Sequence, residues 1–355
     1  LKLFDPIYDP KKSYQENFSE GPFGNYADQK VIENIGEPMY SFLGRPVYAP
    51  FGIGAGPLPN ARFVKAAWDK GYDIVTMKSV RTGEWQGHPF PNVLPVEDKV
   101  VGEKEMVEGV FTANEYKENL TVANSVGVPS LGADVWQKEL KEAISLKGKG
   151  QVLINAFNGT DRNEGLDAFI KDHIKGVEML KDAGAEVIEI NLSCPNEGNK
   201  GLLCFDVVNT KKILEAVNVI RGDTPLIVKI AYFKDKTLLE DFVKNVGPLV
   251  DGIVAINTLG LRVKTKSGEQ AFLGSGREVA GVSGYAIKWA GLEMVRALLD
   301  FRIKHNLGFA IIGVGGVLSA TDYEEYISSG ADAVLSVTGA MWNPYLAKEI
   351  KEHLK

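Results

Sequence analysis

The feature that most constrains this chain is a rhythm that starts at Val47, where short runs rich in Val and Ile alternate with longer segments of helical period. The strand-like runs are Val47 to Ala55, Asp73 to Lys78, Gln151 to Phe157, Glu186 to Ser193, Leu226 to Ala231, Gly252 to Asn257, Phe309 to Gly316 and Ala333 to Gly339. Helix-like segments follow most of them: Phe63 to Lys70, Leu166 to Ala183, Val207 to Ile220, Leu238 to Val246, Tyr285 to His305, Thr321 to Ser329 and Pro344 to Leu354. Strands alternating with helices pair in parallel through right-handed crossovers, and eight such units over about 300 residues predict an α/β fold, a (β/α)8 TIM barrel. A doubly wound open sheet is the second architecture compatible with the pattern.

Two stretches break the rhythm. Residues 79–150, after the second strand, and 258–284 are far longer than the usual connection. Insertions after barrel strands sit over the active face, so both segments are expected to form a lid or wall over a pocket. Residues 1–45 are aromatic, Pro-rich and irregular, which suits an arm packed on the barrel of residues 46–355.

The chain has 355 residues, 45% of them hydrophobic, enough to bury one large core. Its net charge of -6 and lack of a Lys/Arg block argue against nucleic acid as a partner and favour a small molecule. No apolar run approaches the ~20 residues of a membrane span, so no integral membrane segment is expected. The first residues show no signal-peptide pattern, and two cysteines, Cys194 and Cys204, are too few to staple a secreted fold; a cytoplasmic protein is expected. The four histidines show no paired metal-ligand spacing, and no metal site is expected.

Polar residues or glycines end nearly every strand: Gly54-Ala55-Gly56, Lys78-Ser79, Asn155, Asn191 to Asn196, Lys229, Asn257-Thr258, Gly315-Gly316 and Thr338-Gly339. All map to one face, the face where barrels hold their sites. Singly, each could be a conformational stop. Gly313-Val314-Gly315-Gly316 before a helix, with Val337-Thr338-Gly339 on the next strand, can converge backbone N–H groups on a phosphate; either motif alone is as well explained by a tight turn. Lys229, among apolar neighbours in an interior strand, is costly to bury without an anion and is expected to face a ligand. Lys78 invites the same reading, with snorkelling to solvent as the alternative. Asn191-Leu192-Ser193-Cys194-Pro195-Asn196 concentrates amides, a hydroxyl and a thiol at one strand end, against the plain reading of a turn with a buried thiol.

Those six residues resemble the signature of the dihydroorotate dehydrogenase family, FMN-dependent barrels of pyrimidine synthesis. The resemblance runs from about Val47 to the end through Met77-Lys78-Ser79, Gly87-His88-Pro89-Phe90-Pro91, Asn124 to Pro129, Val228-Lys229-Ile230, Asn257-Thr258, Val282-Ser283-Gly284 and Ile311 to Val317. It implies FMN as cofactor, with Ala55, Gly56, Lys78, Ser79, Asn155, Asn191, Lys229 and Thr258 around the flavin ring. Ser283, Gly284, Gly315, Gly316, Val337 and Thr338 match its phosphate cradle. Lys78, Asn124, Gly127, Val128, Asn196, Asn257 and Thr258 match residues that hold the substrate's carboxylate and pyrimidine edge. Cys194 matches the base of the class 1 branch. The resemblance also implies a homodimer, and in one branch a separate electron-transfer subunit. Ser130, Asn92 and Gly54 depart from the family's usual Asn, Arg and Ala.

The chemistry of the residues agrees with that assignment. Oxidising a dihydropyrimidine removes a proton from one ring carbon and a hydride from its neighbour, so a base must face an electron sink. Cys194 as thiolate would take the C5 proton and FMN the C6 hydride. Two other readings remain open: a flavoenzyme acting on dihydrouracil or dihydrothymine, and a non-catalytic flavin-binding barrel. Cys204, where the chain returns to the core, is expected to be structural.

Overall fold

A computed structural model describes residues 2–160, 164–193 and 202–354. Its centre is a closed ring of eight parallel strands in chain order. They are β1 (Phe51–Ile53), β2 (Ile74–Val80), β3 (Val152–Phe157), β4 (Val187–Asn191), β5 (Leu226–Ile230), β6 (Gly252–Ala255), β7 (Ala310–Val314) and β8 (Ala333–Ser336). Each expected strand overlaps one of them, and β2 runs two residues past its expected end at Lys78, to Val80. β8 pairs with β1 to close the ring, with Val334 opposite Phe51 and Ser336 opposite Ile53, which rules out the open sheet.

Alternation along each strand sorts its side chains. Ile74, Val152, Val187, Ile227, Val254 and Ile312 point into the barrel and form one apolar cluster. Their neighbours Val75, Leu153, Ile188, Val228, Ile253 and Ile311 belong to the larger core shared with the helices.

The arm contains ordered elements. The helix Tyr14–Glu20 is closed by a capping box, in which Ser13 Oγ accepts from Glu16 N at 3.2 Å and Glu16 Oε2 accepts from Ser13 N at 2.7 Å. Tyr40–Phe42 and Arg45–Val47 form a hairpin whose Phe42 and Val47 join the interior cluster at the N-terminal ends of the strands. Val47 therefore belongs to this plug rather than to β1.

The segment 79–150 is less of an exception than its length suggests. It ends in the helix Ala133–Ser145, which buries Trp136, Leu140 and Ala143 at helical spacing and is the barrel helix between β2 and β3. The remainder shares one five-stranded sheet with the segment after β6, in the order Val93–Pro95, Thr121–Asn124, Val279–Gly284, Leu259–Lys264 and Val110–Phe111. Among the described residues, no helix is long and apolar enough to cross a membrane.

Replacing Phe42, 3% exposed, with Ala should cost about 3–5 kcal/mol, because the barrel foot cannot collapse around the hole. Urea unfolding of Phe42→Ala checks this; an unchanged midpoint would detach the hairpin from the core.

Candidate functional site

The two-residue period of the strands decides which polar side chains reach the barrel axis. Lys229 lies two residues beyond inward-facing Ile227, while Lys78 and Asn191 lie four beyond Ile74 and Val187. All three line one cavity at the C-terminal mouth, with a volume of about 1260 Å³ including its open entrance. Ala55, Gly56, Ser79, Asn257, Thr258, Gly315, Gly316, Val337 and Thr338 join them from other strand ends. Asn124 and Val128 come from the first insertion, and Ser283 and Gly284 from the second.

Other expected residues fall elsewhere. Asn155 has the opposite phase: it pairs with Met77 and Ile188, both members of the helix-facing core, and is not on the cavity wall. Its side chain is buried, with no hydrogen-bond partner for Oδ1 among the described residues. Gly127 adjoins the wall without lining it. Cys194 and Asn196 lie outside the described residues.

The anion that Lys229 was expected to find in a ligand is already present in the protein. Glu189, on the neighbouring strand, is fully buried, and its Oε1 lies 3.3 Å from Lys229 Nζ. Glu189 lines the cavity, and sequence reasoning passed over it although it shares the phase of Val187 and Asn191. Tyr8, from the arm, is a second unexpected wall residue.

Hydrogen bonds orient the amides at the mouth. Asn191 Oδ1 accepts from Ser193 N at 3.1 Å and from Asn257 Nδ2 at 3.4 Å. Asn257 Nδ2 also donates to Ser193 O at 3.0 Å. Asn124 Nδ2 donates to Gly281 O at 3.0 Å. A Cβ on Gly281 would fall 2.4 Å from Thr258 Oγ1, so glycine here leaves room for Thr258, at the start of the same insertion. Thr258 Oγ1 is buried without a hydrogen-bond partner among the described residues.

At the opposite corner, Gly284 (φ +96°) and Gly316 (φ +69°) adopt backbone that favours glycine. A Cβ on Gly284 would meet Leu120 O at 2.1 Å, and one on Gly316 would meet Gly284 O at 2.8 Å. Close packing thus accounts for both glycines, while Ser283 Oγ and Thr338 Oγ1, 3.0 Å apart, bring two hydroxyls to the same corner. Gly54 also has a local reason: an added Cβ would sit 3.0 Å from Val337 Cγ2 on the wall.

Two arginines hold the insertions in place. Arg81 Nε donates to Val128 O at 2.9 Å and steadies a turn in which Val128 has φ +50°, strained for a β-branched residue. Arg277 donates from Nη2 to Pro91 O at 2.8 Å and to Ser125 O at 3.1 Å, beside Asn92, whose Nδ2 also donates to Ser125 O at 3.1 Å. Ser130 Oγ accepts from Arg81 N at 3.0 Å, so two of the unusual positions are built into these supports. Cys204 is buried in the core, where burial pushes its thiol up to about 12.

Residues 112–355 match the family model described as dihydroorotate dehydrogenase. The chain is 33% identical to the dihydroorotate dehydrogenase of Dictyostelium discoideum, over 96% of this chain and 95% of that protein. It is 29% identical to the catalytic subunit of dihydroorotate dehydrogenase B (NAD(+)) of Methanocaldococcus jannaschii, over 84% of this chain and 85% of that one. Its fold is similar to that of DHODH from Eimeria tenella, solved in complex with ferulenol, with a TM-score of 0.66, 22% identity and coverage of 88% and 82% of the two chains.

Because Cys204 is buried and its thiolate disfavoured, a Cys194→Ala variant should not react with a thiol reagent at mildly alkaline pH until denaturant is added. Rapid labelling of the folded variant would contradict the buried placement.

Proposed function

The chain belongs to the dihydroorotate dehydrogenase family, and on that footing we propose that it oxidises dihydroorotate to orotate in pyrimidine biosynthesis, with Cys194 removing the C5 proton. It is a flavin-dependent oxidoreductase acting on a CH–CH donor. FMN, when bound, supplies the acceptor for the C6 hydride, a role no amino-acid side chain can fill.

The observation that carries this reading is the gathering of Lys78, Asn191, Lys229, Asn124, Asn257 and Thr258 on one cavity wall. The donor set suits FMN. Lys78 and Lys229 bring positive charge where a reduced ring carries negative charge. Asn191, its Oδ1 engaged by Ser193 and Asn257, can offer its Nδ2 to the ring, with Ala55, Gly56 and Ser79 beside it. Ser283, Gly284, Gly315, Gly316, Val337 and Thr338 supply hydroxyls and backbone for the phosphate.

On the substrate side, Asn124, Asn196, Asn257 and Thr258 pair with the pyrimidine's mixed donor and acceptor edge, and the turn at Gly127 and Val128 shapes its surroundings. Val93, Val122 and Asn124, from the sheet formed by the two insertions, line the cavity beside these groups. The Lys78 ammonium suits a substrate carboxylate, which favours dihydroorotate over dihydrouracil. Both lysines also favour the thiolate of Cys194, the form able to accept a proton.

Under anaerobic conditions dihydroorotate should bleach the bound flavin, and dihydrouracil should do so at least about ten-fold more slowly, the worth of one charge-assisted contact. Faster bleaching by dihydrouracil would overturn the substrate assignment. Cys194→Ala should keep FMN and lose roughly 10²–10⁴ of turnover near neutral pH; full turnover would remove Cys194 from the reaction. Lys229→Ala should weaken flavin binding, measured by fluorescence titration of the apoprotein.

A further inference from the structure

Glu189 is the most deeply buried ionisable group on the cavity wall, 0% exposed, and neither carboxylate oxygen has a hydrogen-bond partner among the described residues. Its only ionic partner among them is Lys229, 3.3 Å away and itself 4% exposed. Strand register creates the pair. Lys229 stands opposite Asn191, and Ile227 stands opposite Glu189, so the carboxylate springs from one interior layer below the ammonium.

A buried ion pair without supporting hydrogen bonds contributes little to folding, because desolvation offsets the attraction. Its effect on Lys229 is larger. An amine buried in a largely apolar wall tends to release its proton, and an adjacent carboxylate opposes that release. Among the described residues, the other titratable groups on the wall are Lys78 and Tyr8. The adjoining strand β6 carries none, and Asp251 just before it is engaged at the opposite end of the barrel by Arg221 and Leu226 N.

We propose that Glu189 is a positioning residue that holds Lys229 as an ammonium at the cavity floor in both oxidation states of the flavin. The inference rests on the flavin reading of the site. Two-electron reduction of the wild-type holoprotein then takes up one proton, on the flavin, because the neighbouring positive charge is already present. In Glu189→Gln that buried counter-charge is gone, and the site takes up a second proton as the ring gains charge.

The test is an anaerobic titration of midpoint potential from mildly acidic to mildly alkaline pH. The slope for Glu189→Gln should reach twice that of wild type, two protons per two electrons against one, while Glu189→Asp keeps the wild-type slope. A Glu189→Gln slope equal to wild type would overturn the proposal. So would a steep slope that persists in Glu189→Gln/Lys229→Met, which would send the proton elsewhere. Should Glu189→Gln lose its flavin, proton uptake by the wild type on reduction decides: one proton per flavin supports the proposal and two overturn it. A wild-type chain that takes up no FMN would overturn both this inference and the flavin reading.

Discussion

The mouth of this protein depends on the closure of its ring, made by backbone pairing of β8 with β1. Closure turns eight separate strand ends into a circle, so residues as far apart in sequence as Gly56 and Thr338 line the same cavity. It also demands small residues where strands crowd. A Cβ on Gly52 would lie 1.6 Å from Ile74 O, so β1 and β2 adopt their spacing only with glycine there. Inside the ring, the period of two determines which side chains meet on the axis.

The two insertions complete the site because they pair with each other. Gly281 stands opposite Asn124, and its missing side chain leaves room for Thr258. Arg81 and Arg277 then fasten the turns that carry Val128 and Ser125. These supports show why Asn92 and Ser130 can differ from the family's usual residues: Asn92 and Arg277 both donate to Ser125 O, and Ser130 accepts from Arg81 N.

Much of this was legible in the chain. The eight strands were readable because Val and Ile cluster at short intervals, and the polar strand ends were readable because amides, lysines and glycines interrupt those clusters. Boundaries and phases were harder. Val47 looked like the start of β1 and instead plugs the barrel foot. The helix Ala133–Ser145 lies inside a stretch that reads as one long insertion, although Trp136, Leu140 and Ala143 carry its spacing. The resemblance puts Asn155 with the flavin, and in the barrel it has the outward phase of Leu153 and Phe157.

The sequence by itself determined the order of strands and helices and the polar chemistry of the strand ends, because both follow from neighbours within a few residues. Only the tertiary structure decided that Glu189 faces Lys229, that Tyr8 of the arm reaches the cavity, and that Gly281 admits Thr258. The reason is physical: these contacts join segments distant in the chain, and strand register, barrel closure and available space decide whether they meet.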